Sequence, residues 1–152
     1  MLVGLDSATR LNLRQVLNIL RNLTWYRDNA KYHPLAASEP HFFNCWSLVR
    51  CLRVDLFGLP LLPLYGGINA DDKRSLSKAA KETISGHLKE CSLQLGAIAA
   101  CYRVSLCVHV GIVVEVDGRL CVAEIGAKTG FRIQSIERFE ASYTKVRYYI
   151  DR

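Results

Sequence analysis

The 152-residue chain lacks several features that would assign it to a large class at once. No apolar run approaches the roughly 18–20 residues that a membrane-spanning helix needs, so the sequence predicts no membrane span. The amino terminus, MLVGLDSATRLNL, has no basic start followed by an apolar block and a small-residue cleavage site. It predicts no signal peptide, and we expect the protein to be cytoplasmic when it is made.

Cysteine is present, but its spacing shows neither a CxxC pair nor a close group of cysteine and histidine. We therefore expect no metal site and no cofactor. A reducing compartment also disfavours disulfides, so most of the thiols are predicted to be small buried hydrophobes. The six are Cys45, Cys51, Cys91, Cys101, Cys107 and Cys121.

A dense basic run is also missing, although the formal net charge is +6. The lysines and arginines are scattered and match no nucleic-acid-binding motif, so we expect no nucleic acid as a partner. Half of the residues are hydrophobic and 22% are charged, which is typical of a folded globular chain. The length predicts a single domain over 1–152.

Helical periodicity dominates the first 90 residues. A stripe of Leu13, Val16, Leu17 and Leu20 predicts a first helix, with its cap among Asp6, Ser7 and Thr9. The polar, proline-containing stretch 24–42 is interpreted as a loop. A second helix is predicted to begin after Asn44 and to end at Gly58, and a third to begin after Asp71 or Asp72.

After Cys91 the pattern changes to β-branched and aromatic segments separated by turns such as VDGR and AKTG. Helices followed by a run of strands indicate an α+β fold, with the N-terminal helices packed on an antiparallel sheet of about five strands. The strands are predicted at 93–101, 104–116, 119–126, 131–136 and 145–150.

The stretch FNCWSLVRCL, residues 43–52, places Cys45 at the predicted start of the second helix. A helix N-terminus favours a thiolate through the helix dipole and the unpaired backbone N–H groups. The same N–H groups can receive the oxyanion that forms when a thiolate attacks a carbonyl. Cys45 is therefore a candidate nucleophile.

A thiol nucleophile needs a base, and His109 is the best candidate. It lies in VSLCVHVGIVVEV, where the even-numbered positions form a continuous apolar face. His109 is predicted to point to the opposite face together with Cys107 and Gly111, and Gly111 would leave space beside the imidazole. The other histidines lie in a loop or on the core face of a helix.

These residues carry a resemblance that extends over roughly residues 23–150. In order, the matching segments are WYRDNAKYHP, NCWSLVR, FGLPLLPLYGG, LQLGAIAA, HVGIVVEVDGRLCVAEIG and FRIQSIERF. Together they resemble the NlpC family of papain-like cysteine peptidases, and within it the phage-tail branch of cell-wall peptidases. The resemblance implies a papain-like fold.

The resemblance also implies roles for individual residues. Cys45 matches the family nucleophile and His109 its general base. Tyr26 matches the tyrosine whose hydroxyl lies near the thiolate. Asn44 and Trp46 flank the cysteine. Together with Tyr26, they are the residues expected to contact the substrate or the oxyanion.

The third polar residue of the family orients the imidazole, and the alignment places Val122 there. Glu124 lies two residues further on the same strand face and is the candidate substitute. The chain departs from the family pattern in three more places, at Asn44, Ser47 and Ala97. Valine accepts no hydrogen bond, which leaves three alternatives: a weak enzyme, an altered substrate, or a fold that has lost its activity.

The function implied by the resemblance is a cysteine peptidase or amidase that acts on the stem peptides of bacterial peptidoglycan. The family typically cuts between D-glutamate and a diamino acid. Phage tail proteins are the implied partners, with delivery in the tail or by another export machinery. The alternatives are a catalytically decayed structural tail component and an exported toxin that acts as an amidase or deamidase.

Overall fold

A computed structural model describes residues 11–35, 41–64 and 68–152 of the chain. In these ranges the helices are α1 (Leu13–Asn29), α2 (Cys45–Phe57), α3 (Lys73–His87) and α4 (Ile136–Ala141). The strands are β1 (Lys31–Tyr32), β2 (Phe42–Phe43), β3 (Leu88–Cys91), β4 (Ile98–Arg103), β5 (Leu106–Val116), β6 (Arg119–Gly126), β7 (Gly130–Ser135) and β8 (Lys145–Asp151).

The fold is a mixed α+β arrangement around a six-stranded antiparallel sheet. Its strand order is β3-β8-β4-β5-β6-β7. The sheet thus has one strand more than the sequence predicted, because β3 was not among the predicted strands. Residues 93–97 precede β4 instead of belonging to it, and α4 was not predicted.

Helices α1 to α3 cover one face of the sheet and α4 lies on the other. The larger core cluster joins side chains of the first three helices to strand residues such as Ile98, Val110 and Ile112. The smaller cluster packs Phe139 of α4 against Val113 and Val122. Within the described ranges, no helix is long and apolar enough to cross a membrane.

Helix α1 buries a different stripe from the one predicted. Its buried residues are Ile19, Leu23 and Tyr26, whereas Leu13 and Leu17 are at least half exposed. Its N-cap is Asn12, which forms a capping box with Gln15. The predicted caps Asp6, Ser7 and Thr9 lie outside the described residues. The prediction failed because two apolar stripes share this helix, and only one meets the sheet.

The predicted loop 24–42 is partly structured. Helix α1 continues to Asn29, and the short strands β1 and β2 then pair in parallel. Helix α1 ends immediately before β1, where the N–H of Ala30 still donates to the carbonyl of Tyr26. Tyr26 therefore belongs to a helix and not to a loop, which changes the direction of its side chain.

Helix α2 begins and ends where its sequence predicts. Asn44 is the N-cap and accepts a hydrogen bond from the N–H of Ser47 at 2.9 Å. At the other end Gly58 adopts a left-handed conformation with a φ of 62°, which glycine tolerates without steric cost. This start places Cys45 at the first helical position.

A β-bulge interrupts the pairing of β4 with β5 next to His109. Cys101 pairs with His109, but the next residue, Tyr102, pairs with Cys107, which leaves Val108 as the extra residue. The strict alternation expected for β5 therefore fails. Cys107 does not share the face of His109 but packs in the helix-side core, and its N–H donates to Ser77 of α3.

Candidate active site

Cys45 lies at the first position of α2, buried to 2% exposure between the helix and the sheet. In helix geometry the first N–H groups have no intrahelical acceptor, so those of Cys45 and Trp46 point toward this end. Burial raises the pKa of the thiol, but the interaction with His109 outweighs it and the pKa lies below the ordinary value. The backbone of Val110 and the charge of Lys73 lower the pKa further.

His109 reaches Cys45 from strand β5. Burial lowers the imidazole pKa, but the interactions with Cys45 and with Glu124 dominate and raise it to about 9. The Nε2 atom of His109 lies 2.8 Å from a carboxylate oxygen of Glu124, which leaves Nδ1 for the sulfur. Each group thus shifts the pKa of the other toward the ion pair of thiolate and imidazolium.

Glu124 of β6 is the third member of the site. Its side chain is 4% exposed, and one oxygen accepts from His109. The other oxygen accepts from Arg132 Nε at 3.2 Å and from the amide of Gln134. Burial raises the pKa of Glu124, but the bonds to His109 and Gln134 outweigh this and lower it, so the group is a carboxylate. A carboxylate here fixes the imidazole tautomer and its direction.

Val122 does not occupy this position. It is fully buried in the smaller core with Phe139, two residues away from Glu124 along β6. Gly111, which was expected to leave space beside the imidazole, instead lies against Val122. A Cβ on Gly111 would stand 2.5 Å from Val122 Cγ1 and 3.1 Å from the carbonyl oxygen of Ala123. The glycine thus lets strands β5 and β6 approach closely.

Asn44 and Trp46 flank Cys45 but direct their side chains away from its thiol. Besides capping α2, Asn44 donates its side-chain amide to the carbonyls of Pro34 and Ile68. The Trp46 indole is buried and donates to the carbonyl of Pro63. Asn44 therefore anchors the flanking segments to the start of α2, and the sequence-based substrate role fits neither side chain.

Tyr26 does not direct its hydroxyl to the thiol. The hydroxyl donates to Asp55 at the C-terminal end of α2, at 2.6 Å. Burial first, and then Asp55, raise the pKa of this tyrosine. Because Tyr26 donates its hydroxyl proton to Asp55, its hydroxyl does not lie near the thiol as the resemblance implied. Its spacing from Ile19 and Leu23, one helical stripe, is the sequence signal that it belongs to the core.

Tyr32 of β1 is the tyrosine that lies within electrostatic reach of Cys45. Its hydroxyl donates to Asp71 at 2.9 Å. Burial, this hydrogen bond and the charges of Asp71 and Cys45 all raise its pKa. The stretch WYRDNAKYHP contains both tyrosines, and the resemblance predicted Tyr26 as the site residue. Strand β1 carries Tyr32 because the chain leaves α1 at Asn29 and pairs with β2 directly before α2.

Arg132 and Gln134 were also missed, although the sequence contains the signal for them. The AKTG turn pairs Gly126 with Gly130 across the β6–β7 hairpin. Counting back along the two strands places Arg132 opposite Glu124 and Gln134 opposite Val122. This register therefore predicts that the cation Arg132 lies beside the buried acid Glu124.

An aromatic wall covers the imidazole on the α4 side. The Tyr143 ring stacks on that of His109, with centroids 6.1 Å apart and planes 17° from parallel. Phe139 approaches at 6.3 Å. These rings limit access of water to the His109–Glu124 hydrogen bond, which strengthens it.

The remaining cysteines lack such an environment. Burial is the first cause that raises the pKa of Cys51, Cys91, Cys101, Cys107 and Cys121. Over 11–35, 41–64 and 68–152, no three His, Cys, Asp or Glu side chains are grouped as metal ligands. Among the described cysteines, Cys45 is the one whose pKa is lowered.

Comparison with known proteins adds no relative. No protein-family model matches the chain, and no curated protein matches it. The chemistry of the site therefore rests on its own geometry.

Proposed function

We propose that the chain is a cysteine hydrolase that cleaves amide bonds by acyl transfer. The observation that carries the proposal is the line of Cys45, His109 and Glu124, with the cysteine at a helix N-terminus and a lowered thiol pKa. A nucleophile, a base that contacts it, and a group that orients the base are the parts that thiol catalysis needs.

The reaction follows from these positions. The Cys45 thiolate attacks the amide carbonyl, and the oxyanion lies against the first N–H groups of α2. The His109 imidazolium donates its proton to the leaving amine as the C–N bond breaks, which leaves a thioester on Cys45. Neutral His109 then takes a proton from water, the hydroxide attacks the thioester, and the acid product leaves with the thiolate regenerated.

The substrate that we propose is the stem peptide of bacterial peptidoglycan, and the fold that we propose is papain-like and NlpC-type. Both rest on the ordered resemblance of the segments around Cys45 and His109. The same resemblance supports a phage-tail protein, with tail components as partners and delivery by the particle. Glu124 in contact with His109 favours an active site over a decayed one, because the orienting group is present at a different residue.

The test is release of peptide fragments from purified peptidoglycan, followed by mass spectrometry. We expect the wild-type chain to release stem-peptide fragments and Cys45→Ala to release none, a loss of at least about 10³-fold. Cys51→Ala is the matched control, because Cys51 lies on the same helix and its thiol pKa is raised. It should keep wild-type activity.

Two outcomes would contradict the proposal. Equal fragment release by wild type and Cys45→Ala would remove the thiol mechanism. No release by either folded protein, combined with no acylation of Cys45 by an activated ester, would favour a structural tail component.

A further inference from the structure

A cationic cleft of about 290 Å³ opens beside His109. Its cationic lining comes from four different parts of the chain: Lys73 at the start of α3, Arg103 at the end of β4, Lys128 in the β6–β7 turn, and Arg132 on β7. Glu124 is the one carboxylate among the described lining residues, and it is buried against His109.

Three of the four cations have no carboxylate partner in the part of the chain that the structure describes, and they keep their charge available to the cleft. The Arg103 guanidinium lies over the Tyr143 ring, 5.3 Å from its centroid. Arg132 uses its Nε on Glu124 and remains 43% exposed. Lys73 donates to the backbone carbonyl of Ala70, a neutral group. Among the described residues, Arg103, Lys73 and Lys128 form no ion pair within 4.0 Å.

The position of the cleft relative to the reacting atoms decides which part of a substrate it can hold. His109 lines the cleft, whereas Cys45 is buried and is not among the described lining residues. The imidazolium protonates the leaving amine, so the amine portion of the substrate must lie next to His109. The acyl portion remains on the sulfur, at the start of α2.

We propose that this cleft is the leaving-group subsite and that it selects amides whose amine portion carries a free carboxylate. The assignment rests on the proposed function. A carboxylate matches the planar fork of an arginine and the point charge of a lysine, and it is the ordinary anion of an amino acid or peptide. A neutral amide in its place would leave Lys73, Arg103 and Lys128 without a counter-charge from the described residues.

Binding is tested first, because it does not depend on catalysis. The full chain, labelled with ¹⁵N, is titrated with succinate and with the uncharged isostere succinamide, and amide shifts are followed by NMR. We expect succinate to bind at least five-fold more tightly, with shifts at His109 and at 126–129, and the preference to shrink as salt rises. Equal binding of the two probes would overturn the proposal.

The variant pair sharpens this result. Arg103→Gln/Lys128→Gln should reduce succinate binding at least five-fold and leave succinamide unchanged. The matched control Arg138→Gln/Lys81→Gln removes the same two charges from exposed positions outside the cleft lining, and it should bind succinate as the wild type does. An equal loss in both double variants would reduce the effect to net charge and contradict a subsite.

Acyl transfer then tests the leaving-group assignment. An N-acetyl-peptide p-nitrophenyl ester acylates Cys45, and the amines alanine and alaninamide compete with water for the thioester, with rates corrected for the unprotonated amine. Because aminolysis is the reverse of amide cleavage, alanine should be preferred at least five-fold, and Arg103→Gln/Lys128→Gln should abolish the preference. Acylation without any preference would refute this subsite alone. No acylation of Cys45 would refute the proposed function, and with it the leaving-group role.

Discussion

The two ends of α2 use similar polar chemistry for different purposes. At its N-terminal end Cys45 contacts His109, and Tyr32 bonds to Asp71 nearby. At its C-terminal end Arg53 pairs with Asp151 of β8 at 2.6 Å, and Tyr26 bonds to Asp55. Both ends bury charged or polar groups, so burial alone does not identify a site.

What differs is the surroundings of the charged pair. Arg53 is 1% exposed and ties α2 to β8, and its Nε has no described partner. The charges around His109 form a chain from Cys45 to Glu124 to Arg132, and this chain opens into a cleft. A buried pair that connects a thiol to an open cleft fits the proposed catalysis, whereas a buried pair that only joins two elements fits a structural role.

Apart from Cys45→Ala, the largest loss of activity is expected for Glu124→Gln, which changes the N-terminal end of α2 and leaves the C-terminal end intact. Glutamine keeps the shape but removes the charge that stabilises the imidazolium, and activity should fall by about 10²-fold. Fragment release from peptidoglycan measures the change. Glu82→Gln, on the exposed face of α3, is the control and should retain full activity.

The pH profile separates orientation from simple misfolding. Activity should decline on the acid side as Cys45 is protonated and on the alkaline side as His109 loses its proton at about 9. Glu124 raises the pKa of His109, so Glu124→Gln should move the alkaline limb to lower pH and the acid limb to higher pH. A variant with lower activity but an unchanged profile would contradict an orienting role.

Arg53→Met should lower stability and leave activity nearly unchanged, the opposite of what is expected for Glu124→Gln. Removing a buried arginine leaves Asp151, which is 32% exposed and can be hydrated, so the free energy of unfolding should fall by only about 1–3 kcal/mol. Activity per folded molecule should stay within about two-fold of wild type. Urea unfolding and the fragment assay measure the two quantities, and a selective loss of activity would break the contrast between the ends of α2.

The smallest effects distinguish the two tyrosines. Tyr32→Phe removes the hydroxyl that bonds to Asp71 within electrostatic reach of Cys45, and it should change the rate of Cys45 alkylation by iodoacetamide by at most about ten-fold. Tyr26→Phe removes the equivalent bond at the other end of α2 and should leave that rate unchanged. If Tyr26→Phe had the larger effect on labelling, the assignment of Tyr32 to the site would fail.

The rate of thiol labelling should also rank the cysteines by reactivity. At pH 7 Cys45 should be alkylated faster than Cys91 and Cys121, although it is the most buried of the three, because it has a lowered pKa and the other two have raised ones. Mass spectrometry of peptides at graded pH measures this. Labelling that follows exposure alone would contradict an activated thiol.

Local signals in the sequence were sufficient for part of the fold. The cap at Asn44 and the stop at Gly58 define α2, and the VDGR turn, where Asp117 and Gly118 both have positive φ, defines the β5–β6 hairpin. The prediction of the buried stripe of α1 was wrong because periodicity does not say which of two apolar faces meets the sheet. Strand β3 was missed because it begins at the residue directly after α3, with no connecting segment between the two elements.

Predicting the site required more than local signals. Cys45 follows from the helix start, and Glu124 from strand alternation. The choice between Val122 and Glu124 depends on how far β6 slides along its neighbours, and a motif alignment does not contain that register. The position of Tyr32 near Cys45 depends on the parallel pairing of β1 with β2. This pairing spans two residues and is too short to leave a recognisable pattern in the sequence.

The bulge at Val108 and the two hairpins after it have a consequence for folding. His109, Glu124 and Arg132 lie on three strands joined by short turns, so their hydrogen bonds need contacts between residues close in sequence. Cys45 must dock onto them from far along the chain. The reactivity of its thiol therefore reports this long-range contact. In a chain with both hairpins formed and α2 undocked, Cys45 would be an ordinary cysteine, and alkylation kinetics during refolding would record when α2 docks.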